Sequence, residues 1–298
     1  MNNFLILIII TIIAIANILL SAQPFGGGDG KNETTAYKIY TKAHLEEIAD
    51  SVNTTPPYPA NNWSRNKYFK LMNDITDKVV KGIGSLNYRF QGSFDKQDDK
   101  INIAITDSLF SVGSGVGLFA VTDRAKITNL TIIGSVNTKL GWVGAFGGRF
   151  MHSEIHNCSN YADIVANGSC VGGIIGHLED NSIVTNCLNC GNVKGGNEVG
   201  GIIGHILNST AYEGEVINCI NIGTITGNIN AGGIIGLFNK GKFAITDCLN
   251  AGYIYTNNGS YGILNIEDLL ETKATIYNCV NTGVVSSIGI TYGITINE

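Results

Sequence analysis

The residues of this sequence that could do chemistry include seven cysteines, which could form disulfides, bind a metal or act as nucleophiles. Five of them share one position of a repeated Asn/Asp-Cys-x-Asn pattern: Cys158, Cys187, Cys219, Cys248 and Cys279. The other two, Cys170 and Cys190, lie off this position and could pair with each other in an exported protein. The spacing Cys187-x-x-Cys190 has no second pair and no histidines nearby, so it does not predict a zinc or redox site.

Two histidines occupy equivalent positions in the sequence. His177 and His205 each follow GGIIG directly, which predicts that their rings lie on neighbouring turns of a repeat structure. Two imidazoles about 5 Å apart could share a metal ion. The next copy has Leu237 at this position, so the column of histidines ends there. We therefore expect two stacked turn residues, with no metal and no cofactor.

Carboxylates could cleave glycosidic bonds, which requires two of them at a defined separation. From residue 113 onward the acidic residues fall mainly in turns of variable length, at Glu179-Asp180, Glu213, Glu215 and Glu267-Asp268. No column of Asp or Glu predicts a catalytic cleft. We expect a protein without enzymatic activity, and the alternative is a carbohydrate-active β-helix enzyme of the lyase or hydrolase type.

A tandem repeat of about 29 residues positions all of these side chains and begins near residue 113. Its first half reads VGGIIG, as in 171–176 and 199–204, and its second half reads I-x-N-C-x-N-x-G-x-V. Glycine, asparagine and β-branched residues fill each copy, and these residue types disfavour helices. Repeats of this kind stack as coils of short strands. We predict an all-β fold, a right-handed parallel β-helix, over residues 113–298.

The second half of the repeat predicts two buried ladders. Even offsets from the cysteine share one strand face, and we expect this face to point inward. The cysteines would then stack as small hydrophobic side chains. A buried asparagine must be hydrogen-bonded, and stacked amides can bond to each other from turn to turn. The asparagines in question are Asn160, Asn189, Asn221, Asn250 and Asn281. The glycine at offset +4 fits either unusual backbone angles or close packing.

The part before the repeats predicts a targeting segment followed by a cap. The apolar run 4–20 and the small residues after it indicate a signal peptide over residues 1–22, or else an uncleaved anchor that would be the only link to a membrane. Residues 23–36 are interpreted as a linker, and residues 37–112 as a cap with the first irregular coils. In this cap Thr41 precedes apolar residues at helical spacing, which predicts a short helix covering the first strand edges.

Composition excludes several classes of protein. The chain has 298 residues, long enough for two average domains or one large all-β domain. Hydrophobic residues make up 44%, which argues against a disordered chain. Lys plus Arg total 19 against 24 acidic residues, so we expect no nucleic-acid partner.

The tandem VGGIIG and NCxNxG units resemble GLUG-motif repeats. The preceding segments YKIYTKAHLEEIADSVN, FKLMNDI and FQGSFDKQDDKINIAI are similar to the entry region of such proteins, so the resemblance covers about residues 37–298. GLUG-motif proteins are secreted or surface proteins of host-associated microbes, some of them with immunoglobulin-A-specific peptidase domains. The resemblance implies a surface-exposed β-helix. It does not imply catalysis, because the sequence has no His-Glu-x-x-His motif.

Loops of variable length follow each GGIIG and mark one edge of the predicted coil as a binding surface. The longest spans residues 205–215, and its candidate binding residues are His205, Asn208, Tyr212, Glu213 and Glu215. The alternative is that these loops merely tolerate insertions. We expect a secreted or cell-surface module for adhesion or structure, with an unknown host or matrix protein or a glycan as partner. Asn-x-Ser/Thr motifs such as the one at Asn167 could carry glycans.

Overall fold

The chain winds into a parallel β-solenoid of about eight turns with one short helix near its N-terminus. The computed structural model describes residues 25–54, 62–95, 99–107, 115–208, 213–266, 272–289 and 291–292. The predicted all-β solenoid with a short N-terminal helix is confirmed. The predicted signal peptide, residues 1–22, lies outside the described residues. In the part of the chain that the structure describes, no helix has the length and apolar character needed to cross a membrane.

Helix α1 spans Lys42–Thr54. The strands of the N-terminal part are β1 (Tyr37–Ile39), β2 (Tyr68–Leu71), β3 (Ile75–Val79), β4 (Ser93–Asp95) and β5 (Lys100–Thr106). The strands of the middle part are β6 (Val121–Asp123), β7 (Lys126–Thr128), β8 (Thr131–Thr138), β9 (Gly147–Met151), β10 (Glu154–His156), β11 (Ser159–Asn160), β12 (Asp163–Ala166), β13 (Val171–Gly172), β14 (Ile175–Glu179), β15 (Ile183–Thr185), β16 (Leu188–Asn189), β17 (Val193–Lys194) and β18 (Asn197–Gly200). The strands of the last part are β19 (Ile203–Leu207), β20 (Glu213–Ile217), β21 (Ile220–Asn221), β22 (Ile225–Gly232), β23 (Ile235–Thr246), β24 (Leu249–Asn250), β25 (Ile254–Tyr261), β26 (Leu264–Ile266), β27 (Thr272–Tyr277), β28 (Val280–Asn281), β29 (Val285–Ser287) and β30 (Thr291–Tyr292).

The strands of successive turns pair in parallel and form the faces of the solenoid. Face A has the order β1-β2-β4-β7-β10-β15-β20-β23-β27. Face B has the order β6-β9-β14-β19-β23-β26, and the long strand β23 belongs to both faces because it continues through the corner between them. The remaining strands form a second sheet, face C, around the β8-β12-β17-β22-β25 ladder. Each repeat therefore contributes strands to all three faces.

The core lies inside the coil and is built from ladders of like residues. On face B, Ile175, Ile203 and Ile235 are aligned by strand pairing and are fully buried. At the N-terminal end phenylalanine rings fill the core in place of aliphatic side chains. The rings of Phe69 and Phe90 are centred 5.8 Å apart. Burial of these apolar side chains is the main stabilising term of the fold.

Helix α1 closes the core at this end. The Thr41 hydroxyl accepts a hydrogen bond from the His44 backbone N–H at 3.3 Å, which caps the first turn. The buried residues of α1 recur at helical spacing and join the core beside β3: Leu45, Ile48, Ala49 and Val52.

The structure places the repeated cysteines in one column inside the coil. Cys158, Cys187, Cys219 and Cys248 are buried, Cys279 is half-buried in the last complete turn, and all five are free thiols. Burial raises the pKa of the Cys158 thiol to about 12. The Cys158 thiol is therefore protonated and poorly reactive, and the buried cysteines of the column pack as small hydrophobic groups.

The repeated asparagines form a continuous chain of amide hydrogen bonds next to the cysteines. The side-chain amide of Asn160 donates to the Asn189 oxygen at 2.8 Å, and Asn189 donates to Asn221 at the same distance. The chain continues from Asn221 to Asn250 and from Asn250 to Asn281, each at 2.7 Å. Each of these amides also donates to the backbone carbonyl two residues further on. The NH2 group of each of these four amides therefore makes two hydrogen bonds, one to the asparagine of the next turn and one to the backbone of its own turn.

Glycines allow the backbones of adjacent turns to approach around this ladder. A Cβ on Gly223, at offset +4, would collide with the Gly191 carbonyl oxygen of the preceding turn. The φ angles of the offset +4 glycines lie outside the left-handed region, so close packing is what requires glycine there. A Cβ on Gly201, in the VGG segment, would collide with the Asn221 amide across the coil.

A second ladder of asparagines lies on the outside of the coil. The Asn or Asp directly before each cysteine adopts a left-handed backbone, with φ of 54° at Asn186 and 51° at Asn218. The Asn218 amide donates to the Asn186 side chain at 2.8 Å, and Asn186 donates to Asn157 at 2.9 Å. Asn and Asp tolerate this backbone better than other non-glycine residues, which explains their choice at the bend between faces A and C.

Candidate functional site

A concave groove of about 690 Å³ lies along the outside of face A. Outward side chains at one register position of five adjacent strands form its floor: Glu154, Ile183, Glu215, Ala244 and Thr275. Glu213, Lys242 and Lys273 line it at the neighbouring register position. In the sequence these acidic residues fall in separate repeats and form no column. Strand pairing nevertheless brings three glutamates and two lysines into one groove.

The polar surface continues along face A toward the N-terminus. A smaller groove of about 420 Å³ lies over β2, β4 and β7 and includes Lys70, Asp95 and Lys126. The Lys126 ammonium lies 3.7 Å from the Glu154 carboxylate, so an ion pair links the two grooves. In the larger groove Glu213 and Lys242 pair at 3.2 Å. Both ion pairs are well exposed and contribute little stability, so their charges remain accessible to a ligand.

A large aromatic side chain lies on face A close to the groove, next to its lining residue Thr275 in the outward row of β27. Tyr277 is the last residue of β27, two positions after Thr275 on the same outer face, and it is 70% exposed. An exposed tyrosine offers a flat apolar surface together with a hydroxyl group. The sequence did not point to this residue, because it stands next to the Asn-Cys pattern and outside the loop of variable length.

The structure changes the interpretation of the candidate binding loop. Glu213 and Glu215 are exposed in β20 and face the groove, while Tyr212 lies outside the described residues. Asn208 is not a surface contact as expected, because it is buried and its amide donates to the Lys242 carbonyl at 2.9 Å. His205 belongs to strand β19 rather than to a protruding loop.

His205 and His177 do stack, on paired strands of face B, with ring centroids 4.9 Å apart. The His177 side chain is 7% exposed and that of His205 is 12% exposed. Burial, followed by the charge of Arg149, lowers the pKa of His177 to about 3. Burial and the neighbouring His177 lower the pKa of His205 to about 4. Both imidazoles are therefore neutral at physiological pH.

Cys170 lies against this pair of histidines. Its sulfur is 3.7 Å from His205 Nδ1 and 2.8 Å from the Glu198 carboxylate. The pairing of Cys170 with Cys190 that the sequence left open is not formed; both are free, because Cys190 lies on another part of the coil, beside Tyr161.

A cysteine, a histidine and a carboxylate are the residue types of a cysteine-protease triad, but burial and the Glu198 charge raise the pKa of the Cys170 thiol. An activated cysteine nucleophile requires a thiol pKa that is lowered rather than raised.

No family model matches the sequence, and no curated protein matches it. The structure is similar to a crystal structure from Bacteroides ovatus that is described as a "putative immunoglobulin A1 protease". The two chains share 18% identity with a TM-score of 0.66, and the match covers 91% of this chain and 86% of the other. At this level of identity the similarity shows that the two proteins share the parallel β-solenoid fold.

Proposed function

We propose that this chain is an exported β-solenoid of the GLUG-motif type that binds an extended glycan in the face A groove, without cleaving it. The observation that carries the proposal is the groove itself, with Glu154, Glu215 and Lys273 on alternate turns of one outer face. A ligand lying across β10 to β27 would cross four strand spacings, roughly 19 Å. This length suits several units of a polymer better than a small molecule.

The chemistry of the groove favours a sugar polymer. Carboxylates, ammonium groups and the Asn181 amide supply both donors and acceptors for hydroxyl groups. Tyr277, two residues after the groove residue Thr275 on the same outer face, provides a flat surface for the apolar side of a sugar ring. Because the floor is a regular β-sheet, these groups are held on a rigid surface, which reduces the entropy lost on binding.

A glycan array probed with the purified chain tests this proposal. We expect binding of a defined set of polysaccharides, weakened about tenfold or more by Tyr277→Ala or Glu215→Gln, since each removes a contact worth about 1.4 kcal/mol or more. The matched control is Tyr253→Ala, because Tyr253 is also exposed, at 42%, but lies close to β25 on face C. Equal affinity of the wild type and both groove variants would show that the groove is not the binding site.

A carbohydrate-active enzyme is the second candidate, because Glu154 and Glu215 line the same groove and two carboxylates are what glycoside cleavage requires. Incubation of the chain with each array-positive polysaccharide distinguishes the two functions. A pure binding module leaves the polymer length unchanged. New chain ends that appear with the wild type, and not with Glu154→Gln, would replace the binding function with an enzymatic one.

A further inference from the structure

Two columns of side chains lie next to each other on the outer side of face B. On two adjacent turns the residue types in both columns differ from those on the neighbouring turns. The first column precedes each VGG-type segment and contains Trp142, Cys170, Glu198 and Asn230, all with φ between 55° and 59°. The second column lies seven residues later in each turn, on the strands of face B, and contains Arg149, His177, His205 and Leu237. All four residues of the first column have a positive φ, so this backbone conformation belongs to the bend itself. The residue types on the two middle turns are not required by the bend and are particular to this site.

From this arrangement we infer that Cys170, His177, His205 and Glu198 form a binding site for a zinc-type divalent transition metal ion. The sulfur of Cys170 and one nitrogen of each histidine all lie within 4.8 Å of one another. Thiolate and imidazole are the ligands that Zn²⁺ prefers in proteins, and carboxylate oxygen is a common fourth ligand.

The distances approach those of a tetrahedral site. Bond lengths of about 2.3 Å to sulfur and 2.0–2.2 Å to nitrogen or oxygen place tetrahedral ligand atoms about 3.4–3.6 Å apart. His205 Nδ1 lies 3.7 Å from the Cys170 sulfur and 3.7 Å from Glu198 Oε2. The Cys170 sulfur lies 2.8 Å from Glu198 Oε2, so these two ligand atoms must move apart by about 0.7 Å when the metal binds. On binding, the thiol proton is released to water and the thiolate coordinates the metal.

The histidine nitrogens point to a missing partner. Both ring nitrogens of His177 and Nε2 of His205 are buried and make no hydrogen bond. His177 Nε2 lies 3.2 Å from Glu179 but without the alignment of a hydrogen bond, and Arg149 holds that carboxylate. A metal on His177 Nδ1 would let Nε2–H donate to Glu179, which is the usual carboxylate support of a metal-bound histidine.

The neighbouring turns close the site above and below. The Trp142 ring lies 5.7 Å from the His177 ring and also packs under the Arg149 guanidinium at 5.2 Å. On the other side Leu237 follows His205 in register and is 2% exposed. The partly exposed Glu198 and His205 leave an entry path for the ion. Such an enclosed set of four protein ligands is typical of structural metal sites.

Metal titration of the full chain, stripped with a chelator and kept reduced, tests the inference. We expect one Zn²⁺ per chain, one Co²⁺ with a thiolate-to-cobalt charge-transfer band, and no comparable binding of Mg²⁺, which prefers oxygen ligands. Cys170→Ser and His205→Leu should each weaken Zn²⁺ binding about a hundredfold or more, beyond the loss typical of a supporting residue. His205→Leu introduces the residue that the next turn already carries, so the fold should survive it.

Cys190→Ser and His156→Gln are the matched controls, since both residues lie away from the site on the outer surface. These two variants should bind Zn²⁺ as the wild type does and should show the same rise in melting temperature with the metal. The inference is overturned if the wild type binds no stoichiometric Zn²⁺. It is also overturned if Cys170→Ser and His205→Leu bind as tightly as the controls do, or if Mg²⁺ binds equally well.

Discussion

Single buried amides decide whether neighbouring turns of this solenoid stay in register. Asn221 accepts a hydrogen bond from Asn189, donates to Asn250 and donates to the Gly223 carbonyl. Replacement of Asn221 by Ala should lower the free energy of unfolding by about 2–4 kcal/mol, because it leaves buried groups of both neighbours without a partner. Denaturant unfolding measures this loss. Asn192→Ala, at an exposed asparagine, should cost less than about 1 kcal/mol, and equal losses would contradict the ladder's role.

The sequence predicted which strand face of the repeat points inward. It did not predict why glycine is required at every position where it recurs. Cysteine and asparagine stand two residues apart, so a period of two reveals that they share a face. The requirement for Gly201 arises from the Gly233 carbonyl oxygen of the next turn and from the Asn221 amide across the coil, both of them distant in sequence. Spacing along the chain carries no information about such a contact.

At the scale of the element, the bend between faces A and C depends on residues that accept a left-handed backbone. Asn218 combines a φ of 51° with a side-chain bond to Asn186. Asn218→Ala should destabilise the protein by about 1–2 kcal/mol, because it adds backbone strain to the loss of the amide bond. Asn218→Gly loses the same bond without the strain and should be less harmful. Thermal unfolding of the two variants distinguishes them, and an alanine variant as stable as the glycine variant would refute the strain argument.

The same kind of bend explains why the sequence pointed to His177 and His205 but missed Cys170. The histidines follow a visible motif, whereas Cys170 lies outside the template, at a bend where its φ is 59°, and contacts His205 from there. A signal did exist, since Cys170 and Glu198 each stand seven residues before a histidine, directly in front of the VGG segment. The face A groove was missed for a related reason, because each turn contributes only one or two of its charges.

For the whole molecule, stacking makes the solenoid a nearly one-dimensional structure in which each turn contacts mainly its neighbours. The predicted repeat could establish the fold because every copy carries the same inward pattern. The repeat does not extend to the N-terminal end, where Phe69 and its neighbours replace the aliphatic ladders; the helix α1 that covers the core there was predicted from its own apolar spacing. A local lesion should therefore have consequences that depend on its position along the coil.

Cys219→Asp tests this dependence. Cys219 is fully buried in a middle turn, so an aspartate there introduces an unpaired charge, a class of lesion that costs about 3–5 kcal/mol or more. Because coupling passes from turn to turn, we expect thermal unfolding in two transitions, with fast hydrogen exchange around β20 to β24 and protection retained near Phe69. Cys279→Asp, at a half-buried site in the last turn, should only fray the C-terminal end. One transition at the wild-type temperature for Cys219→Asp would show that this column does not hold the core together.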